Sequence, residues 1–366
     1  MSGYLSALRE RVLLFDGAMG TQLMALHLTD ADFGGPSHHG CNEALVLTRP
    51  DVIEQIHRDY LAAGADVVET DSFTASRLKL DEYGLGERTH EINLISAQLA
   101  RRAADAYSTP EQPRFVAGSL GPTGMLISSS DPALSKITFD ELADLYEEQS
   151  AALIEGGVDL LLLETSQDLL EMKAAIAGIT RAFERGARRV PVQAQATLDV
   201  TGRMLLGTDI SAVRATLDAL PIDVIGLNCS TGPSHMRDPI RYLVESSRCF
   251  VSVIPNAGLP KMGPRGETIY PETPEEMAAE LDAFARDFGV NAIGGCCGTT
   301  PAHIRAFVEV ARGRVGRQPE EQPLQFAASA MTATALKQDG SPLLIGERIN
   351  AQGSRKLKRL LLEENY

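Results

Sequence analysis

In Gly156-Gly157-Val158-Asp159-Leu160-Leu161-Leu162-Leu163-Glu164-Thr165 the chain passes from glycine through an unbroken apolar run to a carboxylate. The glycines suit a left-handed helix cap. The run is too short for a helix, and its continuous apolar character fits a strand buried on both faces. Leu61-Ala-Ala-Gly64-Ala-Asp-Val-Val-Glu69-Thr70 and Phe288-Gly289-Val-Asn-Ala-Ile-Gly-Gly295 repeat the same order.

Working outward from these copies, the sequence predicts eight strands: Val12–Phe15, Asp66–Glu69, Phe115–Gly118, Asp159–Glu164, Val192–Ala196, Val224–Asn228, Val251–Pro255 and Ala292–Gly295. A spacing of roughly 40 residues is that of βα units in a parallel sheet, and eight units predict an α/β fold closed into a (βα)8 TIM barrel. An open doubly wound sheet would carry G-x-G-x-x-G after its first strand. Asp16-Gly-Ala-Met-Gly-Thr21 lacks that spacing. Thr138 with Glu141, and Thr273 with Glu276, mark helix starts of capping-box type, and Pro274 would sit at the first helical position of the second.

With 366 residues, 44% of them hydrophobic and 23% charged, the chain has the composition of a globular protein with a large core. A formal charge of −15 leaves no basic face for nucleic acid. No apolar run approaches membrane-spanning length, and Met1–Glu10 lacks the apolar stretch of a secretory signal. Five cysteines are too few for a disulfide framework and predict a reducing, cytoplasmic setting in which clustered thiols bind metal or act chemically.

In a barrel, the loops leaving the strands converge on one mouth. Those loops bring Asp16 and Gly17; Glu69, Thr70 and Asp71; Ser119; Glu164 and Thr165; Asn228 and Cys229; Asn256; and Cys296 and Cys297. The last pair sits in Gly294-Gly-Cys-Cys-Gly298, and Cys229 in Asn228-Cys-Ser230, at the ends of the eighth and sixth strands. Taken alone, adjacent cysteines read as a buried free pair or a vicinal disulfide. With the third thiol they make a soft three-sulfur site open to a fourth ligand, the arrangement of a zinc ion that also holds a substrate. Cys249 reads as core packing. Cys41 lies beside His38-His39 in a polar loop and has no partner of its own.

A carboxylate at an apolar rim needs a partner. Glu164 would pair with a cationic group such as an α-ammonium, or else with an Arg or Lys of the chain. The turn Asp16-Gly17-Ala18 offers backbone N–H groups suited to a carboxylate. Together these features point to an amino-acid substrate that presents a thiol to the metal.

From about residue 10 to about residue 313, the motifs Asp16-Gly-Ala-Met-Gly-Thr21, Glu69-Thr-Asp-Ser-Phe73, Glu164-Thr165, Asn228-Cys229 and Gly294-Gly-Cys-Cys-Gly298 resemble, in order, those of the homocysteine S-methyltransferase family. The resemblance implies a zinc ion held by Cys229, Cys296 and Cys297. It also implies that Asp16, Gly17, Thr70 and Glu164 bind the amino-acid end of homocysteine, with Glu69 and Asn228 close by.

Residues 318–342 read as an interdomain linker following a barrel of residues 1–317. Leu343-Leu-Ile-Gly-Glu-Arg-Ile-Asn350 with Gly353-Ser-Arg-Lys-Leu357 is similar to the opening of the methyltetrahydrofolate-binding barrel that follows the homocysteine domain in cobalamin-dependent members, although Ile349 replaces their usual threonine. Residues 343–366 are therefore expected to begin a second barrel. The expected donor is methylcobalamin, on a cobalamin-binding module outside this chain and supplied from 5-methyltetrahydrofolate, and the expected product is methionine. Betaine- or S-methylmethionine-dependent transfer, and a non-catalytic zinc-stapled barrel, are the alternatives.

Overall fold

The computed structural model describes residues 2–264, 266–320, 325–337 and 351–364. All eight expected strands form: β1 (Leu13–Leu14), β2 (Val67–Glu69), β3 (Phe115–Leu120), β4 (Leu160–Ser166), β5 (Val192–Ala196), β6 (Val224–Asn228), β7 (Phe250–Ile254) and β8 (Ala292–Ile293). They pair in parallel in the order β1-β8-β7-β6-β5-β4-β3-β2. The cylinder closes between β1 and β2 through one bridge, Phe15 to Val67. Asp66 N–H donates to Leu14 O at 2.7 Å, and Leu14 N–H donates to the Asp66 carboxylate at 3.0 Å.

The four leucines of β4 show why the apolar run is continuous. Successive side chains of a strand face opposite ways. Leu160 and Leu162 join an inner core with Leu13, Phe15, Phe115 and Ala117. Leu161 and Leu163 join the outer core between the sheet and the helices. All four are fully buried, each worth about 1.5–3 kcal/mol of apolar transfer.

The first residues have a role that their sequence did not announce. Ser2 caps the helix Gly3–Glu10 by accepting from Leu5 N–H. This helix plugs the inner core with Tyr4, Ala7 and Leu8. Tyr4 Oη donates to Gln193 Oε1 at 2.6 Å, satisfying a polar group in the barrel interior.

Outside the strands, Pro50–Ala63 ends on Gly64 in the left-handed conformation, φ 112°. The capping boxes at Thr138/Glu141 and Thr273/Glu276 both form. Among the described residues no helix is long and apolar enough to cross a membrane.

The segment read as a linker is partly folded onto the barrel. Phe326–Ala328 and Ala333–Ala335 make an antiparallel hairpin. It docks at the start of the helix Ile210–Leu217: Asp209 N–H donates to Met331 O at 2.9 Å, Ala333 N–H to Ser211 Oγ at 3.1 Å, and the Arg214 guanidinium lies over the Phe326 ring at 4.6 Å. Leu343–Asn350, which carries most of the second-barrel resemblance, lies outside the described residues. After it, Ser354 caps a helix over Arg355–Leu362.

Candidate active site

At the C-terminal ends of the strands lies a cavity of about 600 Å³, lined by Asp16, Gly17, Glu69, Thr70, Glu164 and the three cysteines Cys229, Cys296 and Cys297, among others. The topology accounts for their meeting. β6 and β8 flank β7, so the loops that follow them are neighbours. The three sulfur atoms lie within 4.8 Å of one another, with Cys296 Sγ and Cys297 Sγ 4.0 Å apart. Sulfurs of a tetrahedral site with bonds of ~2.3 Å stand about 3.8 Å apart, so the trio needs little contraction to hold a zinc-sized ion. No other cluster of this kind occurs among the described residues.

The charge on the trio fits the same conclusion. Cys229 and Cys296 lean toward Cys297 and pull its pKa down to about 3. Contacts with Cys229 and Cys297, and then burial, push the Cys296 thiol well up. Cys229 is lowered by Cys296, yet Cys297 and burial raise it to about 12. Packing three thiols this closely sets them against one another as thiolates, and a bound cation would relieve that repulsion.

Backbone strain marks the same place. Thr165, Cys229 and Ser230 adopt left-handed φ values of 56°, 61° and 62°, a region that non-glycine residues occupy only when their surroundings enforce it. Here the enforcement is hydrogen bonding. Cys229 N–H donates to Ile254 O at 3.1 Å, Thr231 N–H donates to Cys229 O at 2.7 Å, and Thr165 N–H donates to Asn228 Oδ1 at 2.7 Å.

Glu164 is buried, and its partners are neutral: Ser119 Oγ at 2.6 Å and Asn228 Nδ2 at 3.0 Å. No Arg or Lys pairs with it among the described residues. Burial raises its pKa to about 7 against the lowering of these hydrogen bonds. Asp16 and Glu69 are also raised well above the usual carboxylate range, chiefly by burial and further by Glu164. Three carboxyl groups crowded at one end of the cavity favour a bound cation.

The other expected substrate contacts are partly committed to the fold. Asp16 N–H donates to Val67 O and Ala18 N–H to Thr299 Oγ1, so the turn's free donor reduces to Gly17 at most. Asp16 Oδ2 accepts from Glu69 N–H at 3.1 Å, while Oδ1 is buried without a partner. The Thr70 hydroxyl accepts from Ser119 N–H at 2.9 Å and bonds Ser72 Oγ at 2.6 Å, tying β2 to β3.

Cys249 is buried core, as its strand position implied. Cys41 is buried too, and lines the cavity 4.0 Å from Glu43. His39 pairs with Asp30 at the exposed surface instead of joining a metal cluster.

Sequence reasoning passed over Tyr270 and Thr299. Tyr270 lines the cavity and lies against Gly298, where a Cβ would fall 2.3 Å from its own. Thr299 donates to Cys296 O at 2.6 Å, anchoring the cysteine turn. The Gly298-Thr299 junction was legible as part of the cysteine motif, whereas nothing local distinguishes Tyr270.

Fold and site together define a parallel α/β barrel whose mouth carries a three-cysteine cluster beside an acidic pocket. A model of the homocysteine S-methyltransferase family matches residues 13–311, and the chain belongs to that family. It is 44% identical over 365 residues to a methionine synthase of Mycobacterium tuberculosis and 43% identical over 367 residues to one of Mycobacterium leprae. Each match covers 99% of this chain and 30% of the relative, so the chain spans less than a third of the length of these curated relatives. Among solved structures, the metallated homocysteine methyltransferase MmuM of Escherichia coli superposes with a TM-score of 0.65 at 26% identity, covering 82% of this chain and 96% of its own.

Proposed function

We propose that this chain is the homocysteine-activating part of a methionine synthase, with zinc held by Cys229, Cys296 and Cys297. The observation that carries the reading is the convergence of these sulfurs on one wall of a cavity that also bears Glu164. Bound zinc would supply a charge that keeps the substrate thiol deprotonated at neutral pH, where a free thiol of pKa ~8.5 is mostly protonated.

The chain's own residues do the rest. Glu164, supported by Ser119 and Asn228, receives the α-ammonium of homocysteine, with the carboxyl groups of Asp16 and Glu69 beside it. Gly17 N–H faces the carboxylate. Binding the amino-acid end at fixed places leaves the substrate sulfur directed at the cysteine trio, so the nucleophile is oriented before the methyl donor arrives. Residues 343–366 belong, in this reading, to the start of a folate-binding barrel. The donor is methylcobalamin on a separate module, recharged from 5-methyltetrahydrofolate, and the setting is the cytoplasm.

The test is methyl transfer from free methylcobalamin to homocysteine, followed by the cobalamin spectrum before and after metal removal. Turnover that disappears with zinc and returns on its readdition supports the reading. Turnover with betaine or S-methylmethionine alone, or zinc binding with no turnover from any donor, overturns it.

A further inference from the structure

A second cavity, of about 190 Å³, opens at the N-terminal ends of the strands, on the face opposite the mouth. Its lining includes Arg11, Asp66, Glu111, Arg114 and Arg312. Asp66 is the hub. Its Oδ2 accepts from Leu14 N–H at 3.0 Å and pairs with Arg11 Nη1 at 2.8 Å, while Oδ1 pairs with Arg114 Nη1 at 3.0 Å. Both oxygens are therefore engaged, and one carboxylate serves two guanidinium groups.

Two charged donors are left over. Arg11 Nη2 and Arg114 Nε are buried and have no hydrogen-bond partner. Buried unpaired donors of this kind are costly, more so on charged groups. Arg312 adds a third positive charge at the exposed edge, where exposed Glu111 also lines the cavity. The lining thus holds one positive charge in excess, within a chain of formal charge −15. Burial holds the Arg114 guanidinium below its ordinary pKa, against the raising pull of Asp66 and with a smaller lowering from Arg11.

We infer that this cavity binds a small inorganic oxyanion of the phosphate or sulfate class. Guanidinium edges match such oxygens in geometry and charge. The ion would accept from Arg11 and Arg114 and clamp the segments entering β1, β2 and β3. That is where support matters, because β1 and β2 meet through a single bridge.

The experiment is calorimetric titration of the whole chain with phosphate, and separately with sulfate, in chloride buffer of constant ionic strength, paired with thermal unfolding. Saturable one-to-one binding is expected, with a Tm rise that saturates alongside it. Glu111→Gln should tighten binding severalfold, Arg312→Ala should weaken it severalfold, and Arg11→Gln should abolish it. A Tm rise linear in anion concentration and equal in Glu111→Gln and Arg312→Ala would be general salt exclusion and would overturn the assignment. So would an absence of binding heat and of any Tm change. Should Arg11→Gln fail to fold, the two edge variants decide the matter, since both residues are exposed.

Discussion

Asn228 Nδ2 stands 3.0 Å from Glu164 Oε2, and the same side chain bonds Thr165 twice, accepting its N–H at 2.7 Å and donating to its hydroxyl at 2.9 Å. Asn228, which precedes Cys229, is thus tied by its own amide to both Glu164 and Thr165 at the acidic wall of the pocket. Asn228→Ala releases the left-handed backbone at Thr165 while leaving the cysteines intact. The expected result is a stability loss of about 1–3 kcal/mol in urea unfolding, with a higher KM for homocysteine. Unchanged KM and stability would show that the tie is incidental.

Glu164→Gln keeps the shape of the pocket and removes its charge. Zinc content should remain as in the parent. Homocysteine affinity should fall about ten- to a hundredfold, the worth of a charged hydrogen bond of roughly 1.5–3 kcal/mol. Loss of metal in this variant would place Glu164 in the metal site rather than at the ammonium.

Cys297→Ser exchanges a soft ligand for a hard one. Zinc retention against a chelator should drop by more than the ~10–100-fold that follows loss of a merely supporting group. Methyl transfer should vanish with the metal. A variant that keeps both would remove Cys297 from the ligand set.

His57 supplies a pH prediction remote from the mouth. It is fully buried, neither ring nitrogen has a partner, and burial draws its pKa down to about 4 from 6.5. The folded state holds it neutral, so between those values the unfolded chain binds more protons. Its contribution is complete above pH 6.5 and is lost as pH falls toward 4, by up to about 3 kcal/mol. Urea midpoints measured at pH 7.5 and pH 5 should converge more closely in His57→Leu than in the parent. Identical pH slopes in the two proteins would refute this account.

Tyr4→Phe leaves Gln193 Oε1 without its donor inside the barrel. The expected cost is about 1–3 kcal/mol, read from thermal unfolding, with metal content untouched. Stability equal to the parent's would mean that the interior re-pairs without the plug helix.

Strand positions were legible because both faces of each strand are buried, which leaves short unbroken apolar runs such as Leu160–Leu163 between glycine and a polar residue. The cysteines were legible because strand ends in such a barrel converge. The Asn228–Thr165 tie was not, since it depends on the side-chain direction set by a strained backbone. Gly3–Glu10 escaped notice because its apolar residues are few and its partners, Gln193 and Phe115, lie far along the chain. The hairpin at Phe326–Ala335 escaped for the converse reason. Its residues are mostly exposed, and its small Ala, Ser and Thr side chains read the same whether docked or free.

The division of β4 into inward Leu160 and Leu162 and outward Leu161 and Leu163 makes the sheet a partition between two separate packing problems. Residues on opposite sides share few neighbours, so their substitutions should be close to thermodynamically independent. The helical jacket can therefore drift in sequence while the interior, on which the mouth is mounted, stays fixed.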